Sequence, residues 1–403
     1  MNARRRVMFG VTSIAVAAAV TWFARAFFGP RPSLTEAAAL AEGRRFSQAG
    51  DLVRAILRSD PSRSDAHMLA AQIALDRPGP PAAPYERPDP TPALEALEHL
   101  KHVRASDPYL SALIALNRGK AEYRLGRLDQ AETSWLDALR LQPNIPEAGW
   151  LLLETYDLQG RSEDARRLAL RLHKVEPDPR DRVQYLLELV RQDAQPRAPA
   201  SIVLWFEPVV KQNPGDLHAN LALGLALINS SQLDRGLEVL RSAVKSHPDL
   251  ADAWDAWLTG LDDAGQIDAL SSVVDRLPPS LVNLPLFAKH RARVAQERGD
   301  WKVAALYYRD ALKAAPHDPR LSYRLSRVLR NAGEENEAAR LQLSHRSYTS
   351  VSPELRALYE KANADKTLGT RPHPELYRQI GELRERMGLH EEALAWYRLV
   401  HPG

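Results

Sequence analysis

Two histidines and two acidic residues lie close together in one stretch of the chain and carry chemistry that suits a metal ion. Glu95, Glu98, His99 and His102 occupy a segment with helical apolar spacing. Residues three or four apart share one face of a helix, so His99 and His102 could present two imidazole nitrogens to one ion. No third ligand is predictable nearby, and charged side chains at this spacing usually form a solvated helix face. We therefore expect no metal site.

Other catalytic groups are absent from the sequence or lack their partners. The chain has no cysteine, which excludes disulfides, thiolate metal sites and a cysteine nucleophile. Neither a glycine-rich phosphate loop nor a Gly-x-Ser-x-Gly motif occurs, and His390-Glu391-Glu392 lacks the second histidine of a zinc-protease helix. The formal net charge is only +3 on 403 residues, which argues against nucleic acid as a partner. We expect a protein that is not an enzyme and binds no cofactor.

The first residues, 1–32, have the pattern of a membrane anchor or a signal sequence. Arg4, Arg5 and Arg6 precede an uncharged apolar stretch at 7–24. As a helix, this stretch is about long enough to cross a bilayer. The arginines predict a single-pass, N-in orientation with the rest of the chain on the extracytoplasmic (periplasmic) side. The alternative is a signal cleaved at Ala24-Arg25-Ala26, which releases a soluble exported protein.

Proline and glycine recur with one common period in the remainder of the chain. Pro143 and Pro177 are 34 residues apart, and Gly265, Gly299 and Gly333 have the same spacing. Small residues share it too, since Ala304 and Ala338 are also 34 apart. Such a period predicts an array of similar helical units rather than two or three unrelated domains.

The period and residue pattern resemble the tetratricopeptide repeat. From Ala112 to Pro143, the family's small, turn and large apolar positions are filled by Gly119, Gly126, Ala131, Trp135 and Ala138. The resemblance implies an all-α, right-handed superhelical solenoid of about ten helix hairpins, with the large aromatics in the core. We expect the array at 33–343, interrupted by a proline-rich insertion at 78–92. An irregular link or degenerate repeat at 344–372 and a C-terminal hairpin at 373–403 follow.

The resemblance also implies a concave surface formed by the first helix of each hairpin. By phase, acidic residues such as Asp255 and Asp262 line its middle, and basic residues line the region of 289–331. We expect this surface to hold a charged, extended peptide through arginine contacts. The predicted partner-binding residues are Lys120, Arg124, Trp150, Glu154, Asp157, Lys289, Arg293, Arg320, Tyr323, Arg327, Arg330 and Asn331.

These features predict a non-catalytic scaffold that binds a protein or peptide partner in envelope assembly or secretion, attached to the membrane by its N-terminal helix. One alternative is a chaperone-like subunit for the maturation of exported proteins, of the kind used in cytochrome assembly. Another is an accessory subunit of an exopolysaccharide or glycosyltransferase machine.

Overall fold

The computed structural model describes residues 32–77, 89–371 and 373–400. The predicted anchor or signal segment at 1–32 lies outside these residues except for Pro32, and so does most of the predicted insertion at 78–92. The last two residues of that insertion, Thr91 and Pro92, open a helix. Among the described residues, no helix has both the length and the apolar character needed to cross a membrane.

Nearly all of the described chain is α-helical, as the sequence predicts, and it contains no β-strand beyond one isolated bridge between Leu368 and Arg371. A short 3-10 turn, Pro285–Phe287, precedes α15. In chain order the helices are α1 (Pro32–Glu42), α2 (Phe46–Ser59), α3 (Ser64–Asp76), α4 (Thr91–Lys101), α5 (Pro108–Arg124), α6 (Leu128–Leu141), α7 (Pro146–Gln159), α8 (Ser162–Val175), α9 (Pro179–Ala194), α10 (Pro199–Gln212), α11 (Leu217–Asn229), α12 (Leu233–Ser246), α13 (Ala251–Asp263), α14 (Ile267–Val274), α15 (Ala288–Glu297), α16 (Trp301–Ala314), α17 (Pro319–Asn331), α18 (Glu335–Ser350), α19 (Ser352–Ala364), α20 (Pro374–Arg386) and α21 (His390–Val400).

Glycine forms the tight turn between the two helices of several hairpins. Gly299 lies between α15 and α16, and Gly333 lies between α17 and α18, with φ angles of +78° and +82°. The Asp300 amide donates back to the Ala295 carbonyl, which satisfies one of the last carbonyls of α15. Side chains with a Cβ rarely adopt this left-handed backbone. The 34-residue spacing of these glycines therefore marks equivalent turns.

Small residues allow the helices of a hairpin to approach closely, and large ones fill the space opposite. A Cβ at Gly119 would lie 2.4 Å from Nε1 of Trp135, and one at Gly381 would lie 2.4 Å from Cε1 of Tyr397. Trp135 and Tyr308 are fully buried, so both belong to the core, where the repeat pattern predicts them.

The chain divides into two compact units, one ending at Leu152 and one beginning at Leu153. In the first unit, α1–α3 enclose a core that includes Val53 and Ile73. A second core, formed by α3–α5, includes Leu75 and Leu110. In the second unit, successive hairpins are joined by cores such as the one around Tyr308 and Leu325. Each hairpin therefore buries apolar surface mainly against its neighbours, as in repeat proteins generally.

The C-terminal helices of the second unit depart from this nearest-neighbour order. α19 packs against α9, far earlier in the chain, and α20 completes the same core, in which Val190, Leu355 and Ile380 are almost fully buried. The region predicted as an irregular link, 344–372, consists largely of the end of α18 and all of α19, with non-helical residues only at Val351 and at 365–371 of its described part. The structure adds a return contact that the repeat period does not encode.

A buried network of four charges accompanies this return. Arg166 of α8 and Arg384 of α20 each pair with both Asp193 of α9 and Glu392 of α21; Arg166 lies 3.0 Å from Asp193, and Arg384 lies 3.2 Å from Glu392. Burial alone would raise the pKa of Asp193, but the two arginines outweigh it and lower the pKa. Two cations and two anions thus neutralise one another, with Arg384 and Glu392 fully buried and Arg166 and Asp193 mostly buried.

Candidate partner-binding surface

Helix α17 presents the most exposed of the predicted binding residues. Asp318 caps its first turn, accepting hydrogen bonds from the Arg320 and Leu321 amides at 2.7 and 3.2 Å. One face of the helix buries Leu321, Leu325, Val328 and Leu329. Residues three and four apart share a face, so the opposite side is one continuous stripe. That stripe consists of Arg320, Tyr323, Arg327, Arg330 and Asn331, all exposed.

The acidic and basic residues predicted for the surface of the second unit neutralise each other between neighbouring first helices. Lys289 lies 2.9 Å from Asp255, and Arg293 lies 3.0 Å from Asp262. Arg324, on the next first helix, forms a further ion pair with Asp262. We call these contacts between α13, α15 and α17 the charge ladder. It joins the predicted acidic middle to the predicted basic region, so the two do not form separate surfaces.

The carboxylate of Asp255 is ionised within this ladder. Burial alone would raise its pKa, but the Lys289 ammonium and the hydrogen bond from His290 at 2.7 Å together hold the pKa below its usual value. Burial in turn lowers the pKa of His290, although Asp255 acts in the opposite direction. Lys289 is therefore already matched to a negative charge inside the protein.

Three arginines of α17 remain available after this pairing. Arg320 reaches Asp263 only at 4.0 Å, and its side chain is 74% exposed. Arg327 lies over the ring of Tyr323 at 6.0 Å, and Arg330 donates to the neutral Gln342 at 2.9 Å. Within the described residues neither Arg327 nor Arg330 has a carboxylate partner. Together with Tyr323 and Asn331, these three form the arginine stripe of α17.

The remaining predicted binding residues lie elsewhere along the array. In the first unit, Lys120 lies between Glu147 at 2.9 Å and Asp76 at 3.5 Å, and burial lowers the pKa of Arg124 although Asp76 opposes it. Trp150 and Glu154 are partly buried on α7. In the second unit, Asp157 is paired with Arg191 and Arg197, each at 2.5 Å. Lys120 and Asp157 thus form ion pairs with residues of other helices or of the following loop.

The structure brings together residues that the sequence does not connect. His67 of α3 contacts both His99 and His102. Glu392, of the His-Glu-Glu segment, is buried against Arg166 and Arg384. No group of three or more histidine, aspartate or glutamate side chains in the described ranges is arranged to hold a metal ion. His67 is more than 30 positions from His99 and His102, and Arg166 is 226 positions from Glu392, so no local sequence signal marks these contacts.

Comparison with known proteins identifies the repeat. The tetratricopeptide repeat model matches residues 95–148, 116–181 and 291–348. The chain therefore contains tetratricopeptide repeats in these ranges, as the sequence pattern predicts, and the described residues outside them are also largely helical.

A curated relative and several solved structures are similar to the chain. Cellulose synthase operon protein C from Pseudomonas fluorescens is 28% identical over 196 residues, which cover 45% of this chain and only 15% of that protein. A crystal structure of the APC/C hetero-tetramer Cut9–Hcn1 has a TM-score of 0.35 at 14% identity, covering 99% of this chain and 86% of that one. A human IFIT1 dimer has a TM-score of 0.36 at 14% identity, covering 86% and 92%.

Proposed function

We propose that this protein is a non-catalytic tetratricopeptide scaffold that holds an acidic, extended segment of a partner protein on the arginine stripe of α17. The observation that carries the proposal is selective pairing. Lys289, Arg293 and Arg324 already have internal carboxylates, whereas Arg327 and Arg330 have none in the described chain. Cations exposed on a rigid helix and lacking partners are suited to carboxylates supplied from outside.

The spacing of the stripe supports an extended ligand. Arg320, Arg327 and Arg330 extend over most of α17, and one helical residue advances about 1.5 Å. Arg320 and Arg330 are thus roughly 15 Å apart along the axis, a distance that about five extended residues would span. Tyr323 lies between them, 40% exposed, and its ring lies tilted beside that of His345, with centroids 5.1 Å apart. An acidic peptide with an apolar side chain between its carboxylates would match this order.

The proposal places the array on the extracytoplasmic side of a membrane, where it contributes to envelope assembly or secretion. This location rests on the arginines at 4–6 and the uncharged stretch at 7–24. N-terminal sequencing of the mature protein distinguishes a retained anchor, which leaves the original N-terminus, from a cleaved signal, which gives a start near Phe27.

The binding proposal is tested with a fluorescent acidic peptide and a lysine-substituted peptide of the same length. The unmodified protein is expected to bind only the acidic peptide, more weakly as salt is raised. Arg327→Glu/Arg330→Glu is expected to weaken binding by roughly tenfold or more, because each hydrogen bond to a charged group contributes about 1.5–3 kcal/mol.

A matched control has the same change in charge on another helix. Lys302 and Lys313 are exposed cations of α16, the second helix of its hairpin. Lys302→Glu/Lys313→Glu is expected to leave peptide affinity nearly unchanged. If both double variants bound the acidic peptide equally weakly, its affinity would depend only on the net charge of the protein. Equal affinity of the unmodified protein for the acidic and lysine peptides would reject the arginine stripe as the binding surface.

A second candidate function is that of an accessory subunit in an exopolysaccharide machine. It is favoured by the sequence similarity to cellulose synthase operon protein C, although the match covers a small part of that protein. Crosslinking in intact cells followed by mass spectrometry of the membrane fraction separates the two candidates. Recovery of polysaccharide synthase components would support the second, and their consistent absence beside another partner bearing an acidic segment would favour the first.

A further inference from the structure

Three histidine rings meet in the first unit, where the sequence alone shows only two in proximity. His67 of α3 has its Nδ1 atom 2.9 Å from Nδ1 of His99 on α4. The ring of His102, just after α4, stacks on that of His67 with centroids 4.7 Å apart. His67 is buried and His99 half-buried, so the pair lies at the edge of the contact between α3 and α4. We call His67 and His99 the histidine pair.

The hydrogen bonds of the pair determine which nitrogen bears a lone pair. Nε2 of His67 lies 2.9 Å from the carbonyl oxygen of Pro61, so this nitrogen carries the proton and donates it. In a neutral His67, Nδ1 therefore bears the lone pair, which points toward His99. Nδ1–H of His99 donates a hydrogen bond to this lone pair. Histidines that bind metals commonly donate their far N–H to a backbone carbonyl in this way, which fixes the ring and its tautomer.

We propose that His67 and His99 bind a divalent transition-metal ion, of the Zn²⁺, Cu²⁺ or Ni²⁺ class, between their two Nδ1 atoms. The ion replaces the proton that the two nitrogens share and lies to one side of the line between them, because metal–nitrogen bonds are about 2.0–2.1 Å long. The proton of His99 moves through solvent from Nδ1 to Nε2, so both imidazoles stay neutral and no net proton is released. Nitrogen ligands about 2.0–2.1 Å from a tetrahedral zinc ion are about 3.3 Å apart. The observed separation of 2.9 Å must therefore widen by about 0.4 Å, and both rings must turn so that their lone pairs point at the ion.

Two carboxylates of α4, Glu95 and Glu98, lie close to His99 in the sequence. Glu95 lies one turn before His99 on α4, and Glu98 is already paired with Lys101 at 2.6 Å. The described residues hold no third ligand in position, so water completes the coordination of the ion. The ion would link α3 to α4 directly.

The first test is isothermal titration calorimetry of the full-length protein with Zn²⁺. The second is electron paramagnetic resonance of the Cu²⁺-bound protein, in which the splitting of the signal by nitrogen nuclei gives the number of bound imidazoles. His99→Gln removes one ligand. His247→Gln is the control, because Nε2 of His247 also lies 3.0 Å from a backbone carbonyl, that of Gly215, without an imidazole contact. We expect one site with two nitrogens in the unmodified protein and in the control. His99→Gln should weaken this site by more than about tenfold, the loss caused even by removing outer-shell partners.

Thermal unfolding gives a second readout in case a variant folds poorly. Zn²⁺ should raise the Tm of the unmodified protein and of His247→Gln, because the ion binds the folded state, and should leave His67→Gln unchanged. Identical Zn²⁺ affinity in the unmodified protein and His99→Gln would overturn the proposal. The proposal would also be overturned if the Cu²⁺ spectrum showed only one nitrogen ligand, and if this spectrum changed in His247→Gln but not in His99→Gln.

Discussion

Replacing Gly119 by alanine tests whether close helix contact, rather than chain flexibility, selects glycine inside a hairpin. Gly119 lies within α5, facing the fully buried Trp135 of α6. A Cβ there would lie 2.4 Å from Nε1 and 2.5 Å from Cδ1 of Trp135. These distances are far below van der Waals contact, and the close packing around the fully buried indole ring opposes its displacement.

The expected magnitude follows from two opposing terms. Alanine is more favourable than glycine in a helix interior by about 1 kcal/mol. Inserting a methyl group into a packed core costs about 1–3 kcal/mol, and an overlap this severe belongs to the upper part of that range. Gly119→Ala should therefore lower the free energy of unfolding by about 1–2 kcal/mol. Urea unfolding followed by circular dichroism measures it, with midpoints compared at equal slope.

Gly50 provides a matched comparison in the same unit. It also lies inside a helix, α2, but the atom nearest to an added Cβ is Nη1 of the flexible Arg54 side chain, at 3.4 Å. Gly50→Ala should therefore stabilise the protein by about 0.5–1 kcal/mol. In a Trp135→Leu background, where the overlap is removed, Gly119→Ala should change from destabilising to neutral or stabilising. If Gly119→Ala stabilises the unmodified protein as much as Gly50→Ala does, the contact with Trp135 is not the reason for glycine.

Three further predictions concern charges and caps. Asp255 has a folded-state pKa below its usual value, so its contribution to stability is present above about pH 4 and is lost as pH falls further. In Asp255→Asn, the free energy of unfolding in urea should fall less as the pH is lowered below about 4. An unchanged dependence of this free energy on pH would contradict the prediction. Arg384→Met leaves Asp193 and Glu392 buried with one fewer cation and should cost about 3–5 kcal/mol. Amide hydrogen exchange in this variant should accelerate most at 374–400, in α20 and α21. Equal acceleration throughout the chain would show that Arg384 does not stabilise these helices locally. Asp318→Ala should cost about 1 kcal/mol by removing the cap of α17, measured by thermal unfolding, whereas Asp318→Asn should largely preserve stability.

The local features of the fold could be predicted from the sequence because they are periodic. Gly299 and Gly333 mark turns that demand a left-handed backbone, and their spacing identifies equivalent hairpins. Trp135 and Tyr308 are correctly predicted as core residues because the same pattern places small side chains opposite them. These predictions use neighbours within one repeat, where sequence distance and spatial distance agree.

Long-range contacts could not be predicted in this way. Nothing near Arg384 in the sequence indicates that its partner is Asp193, because the return of α19 and α20 onto α9 breaks the period. The predicted binding surface shows the same limit. Sequence phase predicts both Lys289 and Arg327 to be surface cations. Only the packing of α15 against α13 distinguishes Lys289, which is neutralised by Asp255, from Arg327, which contacts the ring of Tyr323 instead of a carboxylate.

The return of the C-terminal helices also affects how the second unit folds. Most repeat arrays have only local contacts, so each hairpin can fold as soon as its neighbour is present. Here α9 completes its core only when α19 and α20, more than 150 residues later, have been synthesised. The contact order of the unit is therefore higher than that of an open solenoid, and its folding should be slower and more cooperative. During synthesis, the apolar face of α9 that packs against α19 and α20 stays exposed until those helices have been made. We therefore expect the nascent chain to be prone to aggregation unless a chaperone covers this face.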